Sequence, residues 1–138
     1  MKFLMIGIAW LLLFGCANAE KNNNISGMDI CEILQLTVNL PKLQKYYHVD
    51  KKSQRKPLRL IISDKKISCQ LLTKFGISVL LTHTKSQKRP YLQINKIKST
   101  LMNVDIEYEY QNEGIRGKAT FTKDINKWNM VTDEVFEM

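Results

Sequence analysis

The sequence contains few of the side chains that carry most enzyme chemistry. Its 138 residues include two histidines and three cysteines. It has no glycine-rich phosphate loop, no nucleophile elbow and no metal-type spacing of His and Cys. These absences exclude the common nucleotide-binding, serine-hydrolase and metal-dependent sites. We therefore predict a protein that is not an enzyme, with no catalytic residue, no cofactor and no bound metal.

Long apolar runs are also absent after the first 19 residues. None approaches the roughly 18 residues that a membrane-spanning helix needs. The first 19 residues themselves have a charged Lys2, an apolar centre and a small-residue end, which is typical of a secretory signal peptide. We predict export to the bacterial periplasm.

Two alternative cleavage sites fit this signal peptide. Cleavage after Ala19 follows the small-x-small rule and releases a soluble protein. Residues 13–16 resemble a bacterial lipobox, which would make residues 1–15 a lipoprotein signal and Cys16 a lipidated N-terminus. Membrane contact is predicted only through that anchor.

Cysteine usage agrees with export. Cys16 is either removed or lipidated, so Cys31 and Cys69 remain, and an oxidising compartment would join them. A zinc site that adds His48 and His83 to these cysteines is the alternative, but it contains no closely spaced ligand pair. We predict the disulfide.

One segment keeps an acid–base interpretation open. Residues 46–50 place His48 beside two tyrosines and Asp50, and these residue types serve in proton transfer. Neighbours in sequence need not share a face, however, and an exposed histidine at a helix end explains the same pattern. We adopt the second interpretation.

The C-terminal third predicts a hairpin. Apolar and polar side chains alternate from residue 104 to 111, which is the pattern of a half-buried strand. Residues 111–114 supply a turn before a second strand. If Tyr110 pairs with Ile115, one face holds only apolar or glycine pairs and the other pairs opposite charges. The expected pairs are Tyr108–Gly117, Ile106–Ala119, Val104–Phe121, Glu109–Arg116 and Glu107–Lys118.

A third strand is expected over residues 127–136. A two- or four-residue turn before it places Trp128 and Met130 on the core face. A bulge would then let Val135 and Phe136 return to the core.

A helix is expected before the strands. Ser26 is a suitable N-cap, with Asp29 three residues later. Pro41 is expected to end the helix, with one further short turn considered over residues 43–48. The predicted buried stripe consists of Ile30, Ile33, Leu34, Thr37 and Val38.

Further strands are expected over residues 57–63, 76–82 and 91–98. Residues 20–27 are predicted to be a mobile polar lead-in. We predict a single α+β domain over residues 28–138, in which one N-terminal helix packs on a curved antiparallel sheet of five to six strands. The inward residues of the middle strands are expected to be Leu58, Leu60, Ile62, Leu92 and Ile94.

Charge is the strongest functional signal. Residues 42–99 contain fifteen Lys/Arg and two acids, a net charge of +13. The cations are densest between the predicted strands, and the candidate binding residues there are Lys51, Lys52, Arg55, Lys56, Lys85, Lys88 and Arg89. Such loops attract an anionic envelope surface or an acidic protein partner, while solvated loops of a basic protein are the alternative. Nucleic acid is not expected, because no binding module is present and export separates the protein from it.

Two resemblances concern architecture. Lys56-Pro57-Leu58, residues 72–76, residues 91–94 and the C-terminal run resemble a group of small exported bacterial proteins of unassigned function. Residues 117–121 with Lys127-Trp128 are similar to the terminal hairpin of the nuclear-transport-factor-like (cystatin-like) cone fold. Neither resemblance implies an activity or a site residue.

The sequence therefore predicts a non-catalytic exported envelope protein that binds a protein partner or an anionic surface. An immunity-type or inhibitor protein is one form of this function. The alternative is a small ligand-binding or enzymatic cone-fold domain with its site in the concavity of the sheet.

Overall fold

A computed structural model describes residues 25–48, 56–85 and 91–138. The predicted signal peptide and Cys16 lie outside these residues. Within them the fold is α+β, with two helices, a six-stranded mixed sheet in the order β4-β1-β5-β6-β7-β8 and a separate two-stranded hairpin β2-β3. The elements are α1 (Gly27–Val38), α2 (Pro41–Tyr47), β1 (Arg59–Ile62), β2 (Thr73–Lys74), β3 (Ile77–Ser78), β4 (Leu80–Thr82), β5 (Tyr91–Ser99), β6 (Asn103–Tyr110), β7 (Ile115–Asp124) and β8 (Lys127–Glu137).

Helix α1 follows its sequence closely. The Ser26 side chain accepts a hydrogen bond of 3.1 Å from the backbone N–H of Asp29, which confirms the predicted N-cap. All five residues of the predicted stripe are buried. Ile25, which falls in the predicted lead-in, packs against the core.

A second helix corrects the prediction of a single helix. Helix α1 ends at Val38, before Pro41 as predicted, but Pro41 also occupies the first turn of α2, where its missing N–H needs no partner. Leu40 offers no side-chain cap, and the buried Asp133 of β8 accepts a 2.9 Å hydrogen bond from the backbone N–H of Lys42 instead. The end of the chain therefore holds the start of α2.

The β6–β7 hairpin has the predicted register. Tyr110 pairs with Ile115, and all five further pairs match the expectation. A short 3₁₀ turn, Gln111–Glu113, connects the strands and ends at Gly114 with φ +61°. Because the face that carries Tyr108 is buried, a slip of one residue would expose the whole apolar set.

Strand β8 departs from its prediction at two residues, Met130 and Phe136. The two-residue turn before it places Trp128 in the core as expected. Met130 pairs with the buried Phe121 on the last strand of the sheet, yet it is 41% exposed, so it is not the core residue that was predicted. A bulge opposite Thr120 and Phe121 then inserts Val131. The bulge returns Val135 to the core but leaves Phe136 48% exposed.

One side of the sheet, formed by β4, β1 and β5, is parallel, which corrects the prediction of a wholly antiparallel sheet. Strand β1 runs parallel to β4 on one side and to β5 on the other, whereas β5 to β8 pair antiparallel. Leu60, Ile61 and Ile62 are all buried, as is typical of a parallel strand covered on both faces. The strand expected over residues 76–82 is divided between β3 and β4.

The predicted disulfide is confirmed. Cys31 of α1 and Cys69 are bonded, with their Cα atoms 5.6 Å apart. The bond ties α1 to the chain that follows β1. Cys31 also packs against the single core cluster that contains the buried residues of α1, α2 and the sheet.

Candidate functional site

Two of the three acids on the outer face of β6 are paired with cations of β7. Glu109 lies 3.4 Å from Arg116, and Glu107 lies 3.8 Å from Lys118. Asp105 accepts a 2.9 Å hydrogen bond from the Thr120 hydroxyl. These carboxylates have local partners, so this face offers little net charge to a ligand.

The residues considered for acid–base chemistry point apart. The buried Tyr47 hydroxyl donates to the carbonyl oxygen of Val38 over 3.0 Å. His48 ends α2 with φ +50°, and its Nε2 lies 3.4 Å from Glu113. Asp50 lies outside the described residues. The tyrosine therefore holds the corner between α1 and α2, and it shares no open site with the histidine.

Eight exposed lysines of residues 42–99 form no ion pair with a described residue. Among the described residues the ion pairs join His48 to Glu113, Arg116 to Glu109, Lys118 to Glu107 and Lys123 to Asp29. None of the eight takes part in these pairs. They are Lys42, Lys45, Lys56, Lys65, Lys66, Lys85, Lys96 and Lys98.

Only two of the seven predicted binding residues can be placed. Lys56 and Lys85 are exposed, and the Lys56 ammonium lies 5.9 Å from the centre of the Phe75 ring. The other five, Lys51, Lys52, Arg55, Lys88 and Arg89, lie outside the described residues. Because Arg59 pairs with Tyr91 in parallel register, β1 and β5 begin side by side. The segments that lead into β1 and β5 therefore join the sheet at the same end. Lys85 follows β4, which runs parallel to β1, so it lies toward the opposite end.

A second group of cations lies at the opposite end of β1 and β5. Strand β1 stops at Ile62, opposite Ile94, whereas β5 continues to Ser99. Strand β6 covers one side of this extension. On the other side no strand pairs with residues 95–98 within the described part of the chain, so an edge with alternate free N–H and C=O groups is open there.

An apolar groove borders this open edge. It has a volume of about 510 Å³ and lies between β5, the start of α1 and residues 63–68. Its apolar lining comes from Ile25, Ile30, Ile62, Ile67, Ile94 and Ile97. Polar atoms on the rim come from serines and from Asp64, Lys66, Asn95 and Lys96.

The charge at this groove is mainly positive. Asp64 is engaged by its own turn, since its side chain accepts from the backbone N–H of Lys66 and its carbonyl accepts from that of Ile67. Lys65, Lys66, Lys96 and Lys98 are all exposed nearby in the chain. The groove therefore combines an apolar floor, an open strand edge and a cationic rim.

The sequence analysis did not predict this groove, although the sequence of β5 contains one indication of it. Strand β5 changes register between Ile94 and Lys96, which leaves Asn95 as the extra residue of a bulge. The bulge turns Ile97 to the same side as Ile94. A spacing of three between these isoleucines breaks the period of two and could have indicated the bulge.

A cluster beside α2 is better explained as packing. Lys74 donates to Asn39 over 3.2 Å and also bonds Gln44, and its ammonium lies 5.1 Å from the Tyr47 ring centre. Burial lowers the pKa of Lys74. The Gln35 side chain binds the backbone of Thr73 with two hydrogen bonds of 2.9 Å. These contacts fasten the β2–β3 hairpin to the helices and satisfy the lysine internally.

Comparisons with family models, curated proteins and solved structures found no significant match to this chain. The function must therefore be argued from the described residues themselves. None of their helices is long and apolar enough to cross a membrane. They contain no group of three or more His, Cys, Asp or Glu arranged to hold a metal ion. The two sulfurs considered for zinc are bonded to each other.

Proposed function

We propose that this chain is a non-catalytic exported protein of the bacterial envelope that binds an anionic partner. One observation carries the proposal: eight exposed lysines of residues 42–99 form no ion pair with a described residue, whereas Glu107 and Glu109 of β6 are paired with cations of β7. An unneutralised group of cations produces a potential that extends over about a Debye length, roughly 8 Å at physiological salt.

A ligand-binding or enzymatic domain is supported less well. The groove volume of about 510 Å³ falls in the range of small-molecule sites. Its lining, however, contains no histidine, cysteine or tyrosine, and its one carboxylate is engaged in a turn. A catalytic site usually pairs a nucleophile or general base with a second titratable group, and the lining of this groove offers no such pair beyond the engaged Asp64 and two lysines.

The test is binding to two anionic probes by protein purified after expression of the full chain. The probes are phosphatidylcholine vesicles with and without phosphatidylglycerol, and polyglutamate. We expect binding to an anionic probe that weakens as salt rises, and no binding to the neutral vesicles. Absence of binding to both anionic probes at low salt would refute the proposal.

Two double variants with the same net charge provide the control. Lys56→Gln/Lys85→Gln removes two cations without an acidic partner, and we expect several-fold weaker binding. Arg116→Gln/Lys118→Gln removes two cations that have carboxylate partners, and we expect little change. Equal loss in both variants would mean that total charge alone determines binding.

A further inference from the structure

The open edge of β5 determines what kind of molecule can bind in the groove. A strand edge offers backbone N–H and C=O groups in a row, and an extended peptide can pair with them as an added strand. The open edge spans residues 95–98, which matches a peptide segment of about 13 Å. The chain after β1 leaves the sheet at Ser63, so the place beside residues 95–98 is not taken by β1.

The two faces of β5 specify the side chains of that segment. Ile97 lies on the groove side, near Ile25, Ile30 and Ile67, so a residue paired on this face should be apolar. Lys96 and Lys98 are exposed on the other face, where they are in register with Glu107 and Asp105 of β6. A new strand on the open side would place its outward residues opposite these lysines, and acidic residues fit there.

We propose that the groove binds an extended acidic segment of a partner protein, with apolar residues at alternate positions, by adding it as a strand to the open edge of β5. This inference rests on the proposed function and specifies its partner.

Charge argues against a second copy of this chain as the occupant. Two β5 edges that paired with each other would bring the lysines of one copy, Lys96 and Lys98, close to the same lysines of the other. Like charges on neighbouring strands are destabilising. Edge lysines also discourage pairing with neutral strands, so the same residues that attract an acidic segment reject other partners.

The experiment uses labelled eight-residue peptides and protein purified after expression of the full chain. An alternating Val/Glu peptide is compared with a version N-methylated at every second residue, which keeps its charge but cannot donate along one edge. A Val/Lys peptide is the charge control. We expect the Val/Glu peptide to bind, the N-methylated peptide to bind at least tenfold more weakly and the Val/Lys peptide not to bind, as measured by anisotropy.

Amide hydrogen exchange locates the binding. We expect the Val/Glu peptide to slow exchange in residues 95–99 and to leave β7 unchanged. Lys96→Gln/Lys98→Gln should weaken binding several-fold, while the equally charged Arg116→Gln/Lys118→Gln should not. Both pairs lie on the outer face of the sheet, so the comparison isolates position from net charge.

Each other outcome overturns the inference in a recognisable way. Equal affinity for the N-methylated peptide would mean anion binding without strand addition, and the proposed function would stand alone. If the Val/Glu peptide, polyglutamate and anionic vesicles all fail to bind, both the proposed function and the strand-addition inference are refuted. If the protein self-associates without peptide and amide exchange in residues 95–99 is then slow, the edge of β5 is occupied by a second copy. If exchange there is already slow in the monomer and becomes fast when residues 20–24 are deleted, the edge is occupied by the protein's own N-terminal segment.

Discussion

Tyr108 on β6 covers Gly117 on β7 so closely that a side chain at residue 117 would overlap the tyrosine ring. The bare backbone of the glycine and the large ring of the tyrosine form one packing unit across the hairpin. Only the register that pairs Tyr110 with Ile115 brings these two residues together. The packing of one pair therefore fixes the alignment of both strands.

Replacement of this glycine should destabilise the protein. A methyl group in Gly117→Ala would contact the Cζ and hydroxyl of Tyr108, and the ring is fully buried and cannot move into solvent. We expect a loss of about 1–3 kcal/mol in the free energy of unfolding, the usual result of overpacking. Gly27→Ala is the control, because nothing lies within 4 Å of its new methyl group and its stability should not fall. Urea unfolding that ranked the two variants equally would contradict this packing.

Two buried tyrosines should respond differently to loss of their hydroxyl groups. The Tyr108 hydroxyl has no hydrogen-bond partner among the described protein groups, so Tyr108→Phe should keep or raise stability at pH 7. The Tyr47 hydroxyl donates to Val38, and Tyr47→Phe should lose about 1 kcal/mol. Chemical unfolding at pH 7 distinguishes the two, and an equal loss in both variants would refute the assignment of partners.

The same tyrosines predict alkaline unfolding. Burial, followed by the charge of Asp133, raises the pKa of Tyr108 above its ordinary value of 10.0, and burial also raises that of Tyr47. Above pH 10 the unfolded chain releases protons that the folded chain retains, so stability is intact below that pH and falls as pH rises. Tyr108→Phe should reduce this fall. A stability curve that is flat from pH 9 to 11.5 in wild type would contradict the raised pKa values.

Asp29 predicts a change at the acidic end. Its carboxylate lies 3.2 Å from the Lys123 ammonium, and the Trp128 indole, the largest influence, and Lys123 lower its pKa below the ordinary 3.8. A lowered pKa adds stability above that value, and this contribution is lost as pH falls through the folded-state pKa. Asp29→Asn should therefore be less stable than wild type at pH 7, by up to about 1 kcal/mol for a pair that is partly exposed. The difference should disappear as the pH falls through the folded-state pKa of Asp29. Asp124→Asn, which removes an exposed carboxylate at the end of the same hairpin, is the control and should leave stability at pH 7 unchanged.

The elements that could be predicted are those in which two independent patterns agree. In the β6–β7 hairpin both the apolar and the charged face require Tyr110 to pair with Ile115. In α1 the cap at Ser26 and the stripe of buried residues begin at the same place. A local pattern that is supported twice leaves few alternatives, so these predictions were correct.

The elements that could not be predicted depend on distant contacts. Nothing near β1 indicates that it lies between β4 and β5, because parallel partners are far apart in sequence. Pro41 reads equally as the end of one helix or the start of another, and the cap that decides comes from Asp133. The groove arises because β5 is longer than its neighbour β1. The alternation pattern of one strand does not reveal the length of the strand that will pair with it.

The disulfide links stability to the proposed binding site. Cys31 and Cys69 enclose 37 residues, and a loop of that length predicts a stabilisation of about 3–4 kcal/mol. Reductant should lower the free energy of unfolding by this amount, whereas the Cys31→Ser/Cys69→Ser variant should be equally weak with or without reductant. Thiol labelling of the unfolded, unreduced protein should find no free thiol at these positions, and two reactive thiols would refute the bond.

Reduction should also affect the groove before it unfolds the protein. Ile67 and Ser68 form one wall of the groove, and the adjacent Cys69 holds this wall to α1, which forms another. Loss of the bond allows residues 63–69 to open locally at a lower cost than global unfolding. In conditions where the reduced protein stays folded, we expect faster amide exchange in residues 63–69 and weaker binding of the Val/Glu peptide. Binding to polyglutamate through Lys56, at the end of β1 away from the groove, should change less. An equal loss for both probes would show that reduction acts on the whole domain and not on the groove.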